Sequence, residues 1–403
     1  MNHTCMRAAA LAVSTLIGAN VCAQSNVTIY GVVDAATAYA SNQGGNSNTY
    51  MRSGNLSASK IGFQGVEDLG GDLKALFLLE NGFESDTGAQ SSASALFNRQ
   101  AYVGLQSHAY GSLTAGRQYT PYYLLVGSLA SSNVLTGATG AHPGDIDGLD
   151  TTVRISNSVT YSMPAWRGLQ ASAQYGFGEA ADGNAAGSSF SAAVKYSTSP
   201  AELALGYLKL KNGENGTGWS DKASASFGIS AINQGYASAD SIEFIAASAR
   251  YTMGKWMVGA NASNVQYQAG SHSTFRDTAI FNTAGLIASY QWTPQWFLSA
   301  GYSDTYASRA NGVSDRARYR QLSFEQNYAL SKRTAIYLIE ARQLARGQTL
   351  GQNGAIVDAV ASVGDSQNGT PSSNGGQTVV MVCLLYTSPS PRDATLSRMP
   401  SSA

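Results

Sequence analysis

Alternation of apolar and polar side chains with a period of two recurs along almost the whole chain. In the segment VTIYGVVDA, Val27, Ile29 and Val33 share one face, while Tyr30 and Asp34 occupy the other. Successive side chains of a β-strand point to opposite faces of the sheet, so this pattern predicts a strand with one apolar face and one polar face.

Sixteen segments show this pattern. They are VTIYGVVDA, SKIGFQG, LKALFLLENGF, NRQAYVGLQ, GSLTAGRQY, NSVTYSM, GLQASAQYGF, SFSAAVKYS, AELALGYLKL, FIAASARYTM, KWMVGANASNVQY, TAGLIASYQW, WFLSAGYSDTY, YRQLSFEQNYAL, TAIYLIEAR and TVVMV. Spread over residues 24–382, they allow about 22 residues for each strand and its connection, which leaves room for strands of ~10 residues.

The connections between these segments alternate in length. Short turns such as EDLGGD, SHAYG, MGK and LSKR contrast with long stretches rich in Gly, Ser and Asn, at residues 41–56, 84–97, 121–154, 211–240, 308–317 and 346–376. Short turns on one rim and long loops on the other predict an up-and-down barrel inserted into a membrane from one side.

Aromatic residues cluster near the predicted strand ends, where a transmembrane barrel carries its interfacial girdles. They are Tyr102, Tyr119, Tyr161, Trp166, Tyr175, Phe177, Trp256, Trp292, Trp296 and Tyr328. Since aromatic residues suit any strand, each of them alone is ambiguous.

The first 23 residues have the composition of an export signal. Arg7 precedes an apolar run that is too short to span a bilayer as a helix, and Val21 and Ala23 supply the small residues of a cleavage site. We therefore expect cleavage after Ala23, in preference to a buried N-terminal helix or a lipid attachment at Cys22.

Charge and cysteine content exclude several classes of function. The 25 Lys and Arg residues balance the 25 Asp and Glu residues, so no basic field indicates nucleic-acid binding. Residues 24–382 contain no cysteine, which excludes disulfides, thiolate metal sites and cysteine nucleophiles from the predicted exported domain.

Several motifs follow one another in the order found in a known family. They are VTIYGVVDA, SGNLSASKIGFQGVEDLGGDLKALFLLENGFESDTG, LFNRQAYVGL, GSLTAGRQYTP, RISNSVTYS, YGFGE and NYALSKRTAIYL. On these segments the chain resembles the trimeric general-diffusion porins of Gram-negative outer membranes, of the betaproteobacterial type. The resemblance covers residues 24–382 and weakens between residues 211 and 240.

The resemblance implies an all-β fold, a 16-stranded antiparallel transmembrane barrel whose third long loop, residues 121–154, folds inward and narrows the pore. It also implies a basic ladder on the wall opposite that loop, at Lys60, Arg99, Arg117 and Arg154, with Arg52 nearby. A charge facing lipid at mid-membrane costs a few kcal/mol, so we expect Lys60, Arg99 and Arg117 to face the lumen. For Arg154, a position at the rim with the side chain reaching the head groups is the alternative.

Acidic residues are expected on the other side of the pore. Asp34 and Glu80 fall on lumen-facing positions, and Glu80 could pair with the ladder; the third loop carries Asp145, Asp147 and Asp150 in the stretch HPGDIDGLD. Although DIDGLD faintly resembles a calcium loop, no glutamate closes the spacing. We therefore expect a solvated acidic loop tip and no metal or other cofactor.

These expectations describe a homotrimeric channel in outer-membrane lipid that passes ions and small hydrophilic solutes. A transverse field between bases and acids would set its selectivity, although the overall charge leaves the preferred sign open. An enzyme is disfavoured, because none of the four histidines lies in a strand beside a serine motif. A secreted adhesin or all-β sandwich is the structural alternative, since the apolar strand faces could equally fill a sandwich core.

The last segment, residues 383–403, departs from the pattern. After GGQTVVMV, Cys383 stands where the family has glycine, and TSPSPRDATLSRMPSSA has three prolines and no alternation. We expect a disordered, non-native tail from a frameshift or a spliced-on sequence, which would impair assembly of this chain. The alternatives are that CLLY completes the strand or that the extension is tolerated.

Overall fold

The computed structural model of the chain describes residues 26–130, 135–150, 153–178, 185–213, 230–365 and 371–388. The predicted export signal and most of the predicted tail lie outside these residues. No helix in the described ranges is long and apolar enough to cross a membrane.

The described residues form one large antiparallel sheet and a small hairpin. The strands of the first half are β1 Asn26–Gln43, β2 Asn46–Ser53, β3 Lys60–Gly70, β4 Leu73–Gly82, β5 Gln100–Ser107, β6 Gly111–Tyr119, β7 Arg154–Ser162, β8 Leu169–Gly176 and β9 Ser189–Thr198. Those of the second half are β10 Ala201–Lys211, β11 Ser241–Met253, β12 Trp256–Gln268, β13 Ala279–Gln291, β14 Trp296–Ala307, β15 Arg318–Ala329, β16 Thr334–Arg346, β17 Gln348–Leu350, β18 Ile356–Asp358 and β19 Gly376–Thr387.

The large sheet closes on itself. Each wall strand pairs with its successor in the chain, and β19 pairs with β16 on one side and with β1 on the other. The sheet has 17 strands, but β2 and β3 pair with successive parts of β1 and act as two pieces of one wall strand. The wall is thus the predicted 16-stranded antiparallel barrel, and its closure excludes the sandwich alternative.

All sixteen predicted segments lie in wall strands, and the predicted turns join them on one rim. The clearest error concerns residues 41–56, which we expected to form a long loop. Gly44 and Gly45 take positive φ angles of 60° and 111° and form a tight turn, so β1 and β2 are joined there as a hairpin.

The outer face of the barrel is apolar, as a membrane-facing wall requires. Val27, Ile29, Val103, Leu203 and Leu286 are all more than half exposed on the isolated chain. Most of the predicted girdle aromatics are also exposed. However, Tyr102 pairs with Gly116 on the inner face, and Tyr119 is buried inside the barrel.

The final strand extends beyond the predicted boundary at residue 382. Cys383 pairs with Ala36 and Tyr337, and Thr387 pairs with Val32, while Tyr386 is exposed on the outer face. Residues 383–387 are therefore part of the wall and not of a disordered tail. Although all four residues of CLLY are apolar, Leu384 and Tyr386 face outward while Cys383 and Leu385 pack inward, so the segment continues the strand.

Candidate pore constriction

Glu80 is the centre of a buried ionic cluster on the inner wall. It lies near the long-loop end of β4, between the outward positions of Leu79 and Asn81. One carboxylate oxygen accepts a 2.7 Å hydrogen bond from Arg99 Nε. The other accepts a 2.8 Å bond from the Tyr30 hydroxyl and lies 3.7 Å from Lys60 Nζ. The expected pairing of Glu80 with the bases therefore occurs, with Lys60 at the start of β3 and Arg99 directly before β5.

Tyr119 extends this cluster to a third base. Its hydroxyl accepts a 2.6 Å hydrogen bond from Arg99, and the Arg154 guanidinium lies 5.0 Å from its ring centroid. Tyr119 ends β6 and Arg154 begins β7, where the two residues are register partners. We call Lys60, Arg99 and Arg154, gathered around Glu80 and Tyr119, the basic cluster.

Arg117 does not join the basic cluster. It pairs with Ala101 on the face that also carries the exposed Val103 and Leu113. Its guanidinium donates to Asn98 O at 2.8 Å and to Ser156 Oγ at 2.7 Å. The expectation that alternation turns Arg117 to the lumen is therefore not met, because the strand places it on the outer face.

Asp34 has a different environment from the one expected for a pore-lining acid. It is fully buried, and its carboxylate accepts hydrogen bonds from the backbone N–H groups of Asn55, Leu56 and Ser57 at 2.9–3.1 Å. The Tyr337 hydroxyl donates to it as well. Asp34 thus organises the break between β2 and β3, where a backbone turn would otherwise leave its donors unpaired.

The third long loop folds into the barrel, as expected. It begins with helical turns at Tyr122–Val126 and Gly127–Leu129, whose side chains pack among β9, β10 and β11. Tyr122 N donates to Ser191 Oγ at 3.1 Å, and Val126 lies against Gly206, where a larger side chain would collide. Burial of these apolar residues fixes the loop against one side of the wall.

The loop aspartates are not a solvated tip. Asp145, Asp147 and Asp150 are all buried, and Asp147 is 0% exposed. Asp147 Oδ2 lies 2.6 Å from His142 Nδ1 and accepts a 2.7 Å bond from Ser263 Oγ on β12. Among the described residues, no group of three or more potential ligands converges on a metal site.

The pKa values of His142 and Asp147 are both shifted from their ordinary values. Burial disfavours the charged form of both groups, but their mutual attraction outweighs it. The pKa of Asp147 is held below its ordinary value, and the pKa of His142 is raised above its own. The pair and Ser263 therefore clamp the loop to the wall.

A second clamp holds the middle of the loop. Ala138 N donates to Asn55 O at 2.7 Å, and Thr139 bonds the Asn55 side chain. From β15, the Gln321 amide donates to Thr139 O at 3.2 Å and to Ala141 O at 2.8 Å. Asp34 fixes the segment that contains Asn55, and Asn55 in turn binds the third loop, so Asp34 positions this loop indirectly.

The last long loop also enters the barrel, which we did not expect from the sequence. Ala361, Val363 and Gly364 contact the inner wall and the third loop, and Gly144 N donates to Gly364 O at 2.9 Å. Asp365 lies 4.0 Å from Arg52, the base expected near the ladder. The small apolar stretch AVASVG inside an otherwise polar loop was the signal that could have identified this segment.

Comparisons with known proteins bear on this arrangement. A family model described as Gram-negative porin matches residues 8–347 of the chain. An outer membrane porin protein of Bordetella pertussis is 28% identical over 306 residues, which cover 70% of this chain and 67% of that protein. Outer membrane porin protein 32 of Delftia acidovorans is 31% identical over 219 residues, 51% of this chain and 60% of that protein.

Solved structures share the fold. The anion-selective porin from Comamonas acidovorans superposes with a TM-score of 0.67 over 91% of this chain and 100% of that one, at 22% identity. OmpT of Vibrio cholerae in its trimer form superposes with a TM-score of 0.62 over 90% of this chain and 99% of that one, at 16% identity. At these identities the likeness concerns the barrel alone.

Proposed function

This chain belongs to the Gram-negative porin family and is a channel of the outer membrane, and from that premise we propose how its pore selects solutes. Members of the family are channels and not enzymes. We propose that small hydrophilic solutes and ions pass between the basic cluster and two loops folded into the lumen, and that the cluster makes the pore favour anions.

The composition of the basic cluster carries this proposal. Lys60 and Arg99 contact the Glu80 carboxylate and Arg154 lies over the Tyr119 ring, so the basic cluster as defined contains three cations and one anion. Its charges lie in a confined space where little bulk water screens them, so their field extends across the lumen. Anions are stabilised at this point and cations are repelled.

The loop aspartates offset only part of this field. Asp147 is paired with His142, whose raised pKa favours the charged imidazolium. Asp145 and Asp150 are buried, and we assign them a negative potential that acts through the loop without contact with solutes. We therefore assign the loop aspartates chiefly to positioning the constriction and the bases to ionic preference. The anion-selective porin of Comamonas acidovorans has the same barrel.

The assembly and export of the chain are part of the proposal. We propose that it forms a homotrimer, a form solved for OmpT of Vibrio cholerae. We also propose that residues 1–23 are an export signal, because their charge and apolar pattern match one.

Single-channel recording in a planar bilayer tests the proposed selectivity. The purified protein should insert in discrete conductance steps, which establishes that it forms a pore. Under a salt gradient, the sign of the reversal potential should correspond to anion preference. A reversal potential of the opposite sign, with stepwise insertions present, would leave the channel intact and refute the role of the basic cluster.

A further inference from the structure

The outer face of the barrel changes from apolar to charged at a definite height. At the short-turn end, Trp296 of β14 and Tyr328 of β15 pack edge to face with ring centroids 6.1 Å apart. The first charged outward residues on these strands, Asp304 and Arg320, are register partners eight residues further on. At about 3.4 Å per residue and a tilt near 40°, this is roughly 21 Å above the aromatics.

This height matches the upper edge of an apolar band about 25 Å tall. Short turns face the periplasm and long loops face outward in barrels of this kind, so the charged residues lie at the level of the outer-leaflet head groups. On β10 to β13, two pairs of polar side chains at this level bond each other across neighbouring strands. Lys209 Nζ donates to Glu243 Oε1 at 2.6 Å, and Asn264 bonds Asn282 at 2.7 Å.

Strands β15 and β16 are the exception. Their outward positions carry Arg318 and Arg320 on β15 and Arg342 and Arg346 on β16, and Arg318 pairs directly with Arg346. We call these four residues the arginine face.

Two carboxylates adjoin the arginine face. Asp304 accepts a 2.8 Å bond from Arg318 and lies 3.6 Å from Arg320. Within the part of the chain that the structure describes, neither Arg342 nor Arg346 has a carboxylate at ion-pair distance, although Arg346 acts on Asp304 from further away. Glu340 lies lower on β16, opposite Phe324. On the outward positions of β14, β15 and β16, four cations therefore adjoin two anions, and the excess positive charge lies towards the long-loop end.

We propose that the arginine face binds a phosphorylated lipid head group of the outer leaflet. The planar guanidinium donates two parallel hydrogen bonds to phosphate oxygens, and Arg342 and Arg346 are the two arginines whose donors are not committed to Asp304. A phosphate at this height would also neutralise charges that lipid tails cannot solvate. Glu340 repels an anion from below and confines the head group to the upper end of the surface.

Native mass spectrometry of the full-length protein in detergent tests the proposal. The protein is delipidated and titrated with phosphatidic acid, and phosphatidylcholine with the same acyl chains serves as the lipid control. We expect preferential retention of phosphatidic acid by the wild type. The double variant Arg342→Gln/Arg346→Gln should bind phosphatidic acid about tenfold more weakly, because it removes two cations from the face.

A matched protein control is available at the same height. The double variant Lys209→Gln/Glu243→Gln removes a neutral pair from another sector and should retain phosphatidic acid like the wild type. The variant Arg342→Lys/Arg346→Lys keeps the charge but loses the paired guanidinium donors, so it should bind phosphatidic acid less tightly than the wild type and more tightly than the glutamine variant. It also tests the proposal if the glutamine variant folds poorly. Heat-modifiable gel mobility verifies folding of each variant.

Two results would overturn the proposal. One is equal retention of both lipids by the wild type. The other is unchanged retention of phosphatidic acid by a folded glutamine variant, and if that variant also loses its oligomer, the arginine face is a contact between subunits. Channel conductance does not enter this test, so its outcome is independent of the proposed selectivity.

Discussion

The Tyr337 hydroxyl donates a 2.7 Å hydrogen bond to the Asp34 carboxylate across 303 positions of the sequence. The bond joins the first wall strand to β16 inside the barrel. The same carboxylate also accepts the backbone N–H groups of Asn55, Leu56 and Ser57. One buried acid therefore couples the closure of the wall to the position of the constriction loop.

Removal of this acid should destabilise the barrel. Asp34→Ala leaves the N–H groups of Asn55 and Ser57 without their acceptor, at a cost of about 1–3 kcal/mol for each buried group, whereas Leu56 N–H keeps the Tyr337 hydroxyl at 3.2 Å. We expect the folded form to lose its characteristic gel mobility at a lower temperature than the wild type. Tyr337→Phe is the control, because the carboxylate keeps its three N–H donors, and its effect should be smaller. Equal effects of the two substitutions would contradict this account of Asp34.

Charge reversal in the basic cluster should change ionic preference. Lys60→Glu together with Arg99→Glu leaves Arg154 as the only base of the cluster beside three carboxylates. We expect the reversal potential in a salt gradient to move towards cation preference. Arg117→Glu is the matched control, because Arg117 lies on the outer face and outside the basic cluster, and it should move the potential less than the double variant does. The assignment fails if the control shifts the potential as much as the double variant.

The His142–Asp147 clamp should depend on pH at both extremes. The raised pKa of His142 gives a stabilisation that is complete below the ordinary value of 6.5 and is lost as pH rises through the folded value. The lowered pKa of Asp147 gives a second stabilisation, which is complete above the ordinary value of 3.8 and is lost as pH falls through the folded value. The clamp is therefore complete between these two ordinary values.

Outside this interval we expect greater noise in the open-channel current, because the loop is held less firmly. His142→Gln should abolish the alkaline change, since the variant has no imidazole to titrate. An alkaline rise in noise that persists in this variant would assign the effect to another group.

The last long loop should narrow the pore together with the third loop. Deletion of residues 361–364 removes the segment that packs against Gly144, so single-channel conductance should rise. Deletion of residues 352–353, at the tip of the hairpin formed by β17 and β18, is the control and should leave conductance unchanged. Unchanged conductance in both deletions would show that this loop does not limit the current.

The wall should require Cys383–Thr387 for closure. A chain that stops after Val382 would leave part of β1 and part of β16 without a partner, and unpaired backbone groups in lipid cost several kcal/mol each. We expect this chain to lack the heat-modifiable folded band, whereas a chain that stops after Ser388 should retain it. A folded band in both chains would move the functional end of the barrel back to residue 382.

The wall could be predicted from the sequence because alternation is a local property. Each of the sixteen segments shows it without reference to its neighbours, and short turns set the order of pairing. The lumen-facing position of Glu80 could be predicted for a related reason. Glu80 follows Leu79 in the strand, so the two side chains point to opposite faces, and the charged one is stable only on the face away from lipid. The same reasoning gave the wrong side for Arg117. Its position in β6 places it on the outward face together with Leu113, where it donates hydrogen bonds to Asn98 and Ser156.

The interior could not be predicted in the same way. The role of Asp34 depends on backbone donors some twenty positions away and on a tyrosine near the other end of the chain. The burial of Asp147 depends on Ser263 from a distant strand, and the entry of residues 361–365 depends on the third loop being in place. Such contacts are properties of the closed barrel and leave no periodic trace in the sequence.

The pairing of β1 with β19 has a consequence for how the protein is made. Gly31 N donates to Ser388 Oγ at 2.7 Å across 357 positions, so the seam joins the two ends of the described wall. Closing a loop of that length costs roughly 5 kcal/mol in chain entropy before any seam contact compensates for it. Contacts of such long range are expected to form slowly. The twelve residues of β19, which follow every other wall strand in the chain, therefore set the pace of closure, and until they pair the edges of β1 and β16 stay open.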